Sequence, residues 1–200
     1  MKWSIRIGRV QGVAIHVHAL FLITLLWAGW LGWTNGRTPG SVAFGLVSIC
    51  ALFACVLIHE IAHTQTALAA GIPVRRIMLL PVGGLAELRT LPDSPQLELT
   101  IAAAGPLANL GLALIFGGLT LAVAGPDFAG SLSDWATIAV SPTPIGLLLY
   151  LTGANLALFL FNLLPVYPLD GGRMLRGALS LLVPPLQASR ISASVGRALA

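Results

Sequence analysis

The chain has 200 residues, of which 56% are hydrophobic and 9% charged, with a mean hydropathy of +0.90 and a formal net charge of +4. So apolar a composition excludes an ordinary soluble domain and assigns the chain to the integral membrane proteins. The 11 Lys and Arg outnumber the 7 Asp and Glu, but they sit at the ends of apolar runs, which reads as membrane orientation and not as a nucleic-acid footprint.

In chain order, Ser4 to Val10 and Val13 to His18 alternate polar and apolar residues with period two, which predicts two strands of a small sheet. His16 and His18 share one face of the second strand. They read as interfacial histidines, because no carboxylate or Cys lies nearby in sequence to complete a metal site. A first apolar span is expected near 17–34, long enough to stay in the membrane instead of serving as a cleaved signal. Trp3, Trp27, Trp30 and Trp33 gather around its ends as interface aromatics do. A second span is expected near 41–70. Its Cys50 and Cys55 lie about 140° apart around the helix, cannot face each other, and read as packing residues. Residues 77–88 read as strand, turn and strand, with Gly83-Gly84 as the hairpin signal. Further spans are expected near 96–124 and 143–163. After the Pro184-Pro185 break another helix starts near 186, too short to span, and is expected to be the cut end of a longer protein. The reading is therefore one membrane domain over 1–200, without repeats or linkers: an all-α polytopic helical bundle with a small membrane-associated sheet or hairpin on the cytoplasmic side.

Lys2, Arg6 and Arg9 precede the first span, Arg75, Arg76 and Arg89 lie between the second and third, and Arg173 and Arg176 follow the fourth. Only Arg37 lies between the first and second. The connection between the third and fourth has Asp127 and Asp134 and no basic residue. The positive-inside rule then predicts a cytoplasmic N-terminus in a multi-pass cell-membrane protein, and a site toward the cytoplasmic side.

The second span contains Ile58-His59-Glu60-Ile61-Ala62-His63. On a helix His59 and His63 project from one face and can reach one metal ion, with Glu60 beside them as a base. Zinc suits such ligands and lowers the pKa of a bound water from about 15.7 to roughly 7. Each ionisable residue at mid-bilayer costs at least about 2.5 kcal/mol, so three within one turn need a compensating partner. The fourth span ends in Asn162-Leu163-Leu164-Pro165-Val166-Tyr167-Pro168-Leu169-Asp170-Gly171-Gly172-Arg173, where two prolines and then two glycines break the helix and expose backbone that must face a site. Asp170 is its only carboxylate and the obvious third ligand, completing a three-ligand zinc site with an open position.

The pairing of HEIAH with NLLPVYPLDGGR resembles the site-2 protease family of intramembrane zinc metalloproteases, peptidase family M50, in its compact subgroup without a PDZ insertion. The resemblance extends to Gly105-Pro106-Leu107-Ala108-Asn109 and to Pro81-Val82-Gly83-Gly84. It implies that His59, His63 and Asp170 hold one zinc ion and that Glu60 is the general base. It also implies that Asn162, eight residues before the Asp, donates to the developing oxyanion, a role worth roughly 3 kcal/mol in other hydrolases. An unwound substrate strand is expected to add to the edge of the hairpin that holds Gly83 and Gly84. Asn109 is expected to support the site.

The implied activity is zinc metalloendopeptidase cleavage within or near a transmembrane segment of a membrane-protein substrate, as in regulated intramembrane proteolysis. Expected partners are a transmembrane protein or peptide substrate and the lipid bilayer, with a homodimer left open and no nucleic acid. The alternatives are a zinc-dependent membrane binding or transport protein and a catalytically dead scaffold. Transport predicts more polar residues along the third span than Asn109 and Thr120, and a dead scaffold has no chemical need for Glu60.

Overall fold

The computed structural model describes residues 3–81, 83–90, 92, 94–125, 128 and 132–199, so the expected roles of Lys2, Val82 and Asp127 lie outside the described residues. The elements run β1 (Ser4–Val10), β2 (Val13–His18), α1 (Phe21–Gly36), α2 (Pro39–Ala69), β3 (Val74–Leu80) and β4 (Gly83–Leu88). They continue with α3 (Pro95–Ala124), α4 (Leu132–Ala139), α5 (Pro144–Asn162), α6 (Asp170–Ser180) and α7 (Pro185–Leu199).

The three long helices begin with the same local chemistry. Thr38, Ser94 and Thr143 are N-caps, and each is followed by a proline that has no amide hydrogen to leave unpaired. Their hydroxyls accept from the backbone N–H of Ser41, Leu97 and Gly146 at 3.1, 3.2 and 3.0 Å, each cap contributing about 1 kcal/mol. All three helices are long and apolar enough to cross a bilayer. Large apolar side chains such as Leu107, Leu114 and Leu121 of α3 stand exposed on the outside of the bundle, where lipid and not water is the solvent.

The first expected span differs. α1 has 16 residues, about 24 Å of helix, short of a hydrocarbon core of about 30 Å. Residues 17 and 18, expected inside the span, belong to β2, where backbone pairing to β1 and β3 captures them.

The sheet order is β1-β2-β3-β4. Its central pair is parallel because the chain leaves through α1 and returns through α2, and the flanking pairs are antiparallel hairpins. Val13 and Ile15 of β2, Ile77 and Leu79 of β3, Ala67 at the end of α2 and Ile101 of α3 form one buried cluster. That cluster fixes the sheet against the end of α2 that carries HEIAH. Leu80 pairs with Gly83 and Leu79 with Gly84, so the two glycines are the opening residues of β4, correcting the expected Gly83-Gly84 turn.

The break after α5 also corrects the sequence reading. The irregular stretch covers Leu163 to Leu169, and Gly171 and Gly172 lie in the first turn of a new helix, α6. A Cβ at Gly171 would strike the carbonyls of Leu163 and Leu164, and one at Gly172 would crowd Val166 and Tyr167. These glycines let α6 start against the loop it grows from; they do not end a helix. α7 packs on α6, with Ser192 Oγ donating to the Gly172 carbonyl at 3.1 Å. The short α4, with Asp134 in its first turn, was not expected from the sequence.

Candidate metal centre

His59 and His63 lie one turn apart on α2, and their Nε2 atoms approach to 3.0 Å. Asp170, the first residue of α6, brings Oδ2 to 3.1 Å from each of them. The three are each at most 9% exposed, and among the described residues no other group of His, Cys, Asp or Glu has metal-ligand spacing.

The surroundings of these atoms suit a divalent metal. His63 Nδ1 faces the Ile101 carbonyl at 2.6 Å, and a carbonyl can only accept. The proton therefore sits on Nδ1, and Nε2 turns its lone pair toward His59 and Asp170. Burial pushes the Asp170 carboxyl up, but the His59 and His63 imidazoles outweigh it and hold the group well below the usual carboxylate range. Two imidazole nitrogens and a carboxylate are donor types that zinc accepts, and here their ligand atoms could hold one metal ion.

Helix α3 closes the other side. A Cβ on Gly105 would overlap both His59 and His63, so only glycine lets α3 lie this close to the two rings. The next residue, Pro106, leaves the carbonyl of residue 102 without its helical donor. Glu60 is 5% exposed, and a Cβ on Gly84 would overlap its side chain. The opening residues of β4 therefore run directly over the glutamate.

These groups share a cavity of about 420 Å³ whose lining includes His59, Glu60, His63, Gly83, Gly84, Asn109, Asn162, Asp170 and Arg173. Asn162 Nδ2 donates to the Leu158 carbonyl at 3.0 Å within its own helix. Asn109 is 1% exposed, and neither end of its amide has a hydrogen-bond partner.

The eight candidate site residues of the sequence, His59, Glu60, His63, Gly83, Gly84, Asn109, Asn162 and Asp170, thus border one cavity. Sequence reasoning passed over the Ile101 carbonyl, the clearance at Gly105, and Arg173 in the wall. A backbone carbonyl leaves no trace in a sequence; the Gly-Pro pair at 105 and 106 was a visible signal for the clearance. His16 and His18 stay apart, on β2, where His18 Nδ1 accepts from the Leu20 amide at 3.3 Å. Cys50 and Cys55 are both free.

Residues 47–200 match the description of peptidase family M50. The chain is 34% identical over 200 residues to zinc metalloprotease MJ0392 of Methanocaldococcus jannaschii, covering all of this chain and 52% of that protein. Stage IV sporulation protein FB of Bacillus subtilis is 29% identical over 179 residues, covering 89% of this chain and 52% of that protein. The chain thus spans about half the length of these curated relatives. Among solved structures, the site-2 protease from Methanocaldococcus jannaschii superposes with a TM-score of 0.70 at 31% identity, over 98% of this chain and 81% of that one. Helical bundle, four-stranded sheet and buried HEIAH helix together have the fold of a site-2 protease, and the chain belongs to peptidase family M50.

Proposed function

We propose that the chain is the catalytic core of an intramembrane zinc metalloendopeptidase that cuts a peptide bond within or near a transmembrane segment of a membrane protein. The observation that carries this reading is the convergence of His59, His63 and Asp170 at 3.0 to 3.1 Å in a buried cavity that also holds Glu60. His59, His63 and Asp170 hold the zinc, which supplies Lewis acidity toward the scissile carbonyl and toward water.

Glu60 takes the proton of the attacking water and later delivers it to the leaving amine, general acid–base work worth about 10²- to 10⁴-fold. Asn162, on the same cavity wall, turns its amide N–H from the Leu158 carbonyl to the developing oxyanion. Asn109 offers one donor and one acceptor, the complement of a peptide group freed from helical hydrogen bonding. A helical substrate has its carbonyls occupied and must unwind locally. β4 is an edge strand whose Gly83 and Gly84 border the cavity, so it can pair with the unwound segment. No comparable feature favours transport.

The site faces the cytoplasmic side and the N-terminus is cytoplasmic. In support, Arg6, Arg9, Arg75 and Arg76 belong to the sheet at the HEIAH end of the bundle, whereas Arg37 caps α1 at the end away from it. Zinc content of the purified protein beside Asp170→Ala, together with cleavage of a membrane-segment substrate in proteoliposomes, tests the reading. Near-equimolar zinc that falls sharply in the variant, with cleavage lost in parallel, is the expected result. A wild type that stays metal-free after reconstitution with zinc overturns it.

A further inference from the structure

We infer that the ion pair between Glu98 of α3 and Arg176 of α6 is a positioning device for Asp170, an inference that rests on the zinc-site reading above. Asp170 is the first residue of α6 and follows the irregular stretch at 163–169. Where its carboxylate lies is therefore set by where α6 lies. Two of the contacts that seat α6 on α3 are a close approach and an ion pair. Gly177 gives close approach, since a Cβ there would come to 3.2 Å from the Leu99 amide and the Pro95 carbonyl. Arg176 Nε and Nη2 both donate to Glu98 Oε1, and Glu98 is 7% exposed.

The same helix, one turn on, presents the Ile101 carbonyl to His63 Nδ1 at 2.6 Å. α3 is thus a common rail for two ligands that are 107 residues apart in the chain. Loss of the ion pair frees α6 to shift along α3, and Asp170 moves relative to the two imidazoles. Groups that orient a metal ligand from outside the coordination sphere typically matter by about 10- to 100-fold in metal affinity.

Zinc affinity, measured by competition with a chromophoric chelator, reads this directly. Glu98→Gln is the chosen variant because it leaves the partly exposed Arg176 able to reach water, whereas removing Arg176 strands a buried carboxylate. We expect zinc to bind about 10- to 100-fold more weakly in Glu98→Gln, the cobalt(II)-substituted site to change its visible spectrum, and the swapped pair E98R/R176E to recover most of the lost affinity. Should Glu98→Gln fail to fold, Arg176→Lys keeps the charge but not the fork, and a smaller loss of affinity is expected. Wild-type zinc affinity in either folded variant, even with a lowered unfolding midpoint, means the pair only holds the fold and overturns the inference. A wild type without zinc overturns the site reading itself, so the two failures are distinguishable.

Discussion

Gly105→Ala is the most direct test of how the site is built. The added Cβ lies 2.6 Å from His59 Cε1 and Nε2 and overlaps His63 Nε2 as well. To reach the 3.4 Å of an ordinary contact, the His59 ring must recede by about 0.8 Å. Metal–ligand distances tolerate only about ±0.2 Å. The rings cannot swing away freely, because His63 is tied to the Ile101 carbonyl on the same helix and interiors are close-packed. A displacement several times the tolerance should weaken zinc binding by at least about 100-fold, which is close to 2.8 kcal/mol at 1.4 kcal/mol per tenfold. The control is Gly111→Ala on the same helix, where an added Cβ meets nothing within 4 Å. Zinc affinity by chelator competition is compared in the two variants, with circular dichroism to establish that both are helical. Equal affinity in Gly105→Ala and Gly111→Ala would refute the claim that glycine is required for α3 to approach the ligands.

Three further outcomes are expected. Glu60→Gln should bind zinc like the wild type while turnover falls by about 10²- to 10⁴-fold, read as metal content against product formation. Gly84→Ala should push on the Glu60 side chain and lower turnover with zinc retained, the opposite pattern to Gly105→Ala; loss of metal in this variant would mean that β4 supports the ligands and not the base. Asn162→Ala should lower kcat by about 10²- to 10³-fold with zinc content unchanged if its amide serves the oxyanion. A change confined to unfolding temperature would make it a packing residue instead.

The membrane class, the long helices and the metal motif were legible because each is written in neighbouring residues. Ser or Thr followed by Pro marks the start of α2, α3 and α5. An i, i+4 pair of histidines shares a helix face whatever the rest of the chain does. The period-two strands at the N-terminus were legible for the same reason. The errors arose where a local signal has two structural outcomes. A Gly-Gly pair reads as a turn, yet at 83–84 it opens a strand that lies against Glu60, and at 171–172 it lets α6 start against its own loop. An apolar run reads as a span, yet residues 17 and 18 were taken by sheet pairing.

What the sequence by itself determined is the inventory: a bilayer-dwelling chain, a helix that carries HEIAH, and a lone carboxylate in a broken segment. Only the tertiary structure decided how that inventory becomes a site. The union of His63 with Asp170 across 107 residues, the carbonyl of Ile101 that sets the imidazole tautomer, and the absent side chain at Gly105 all depend on how α3 packs between α2 and α6. Periodicity reports which face of a helix a residue occupies. Which helix lies against that face, and how closely, is set by the fit of whole surfaces.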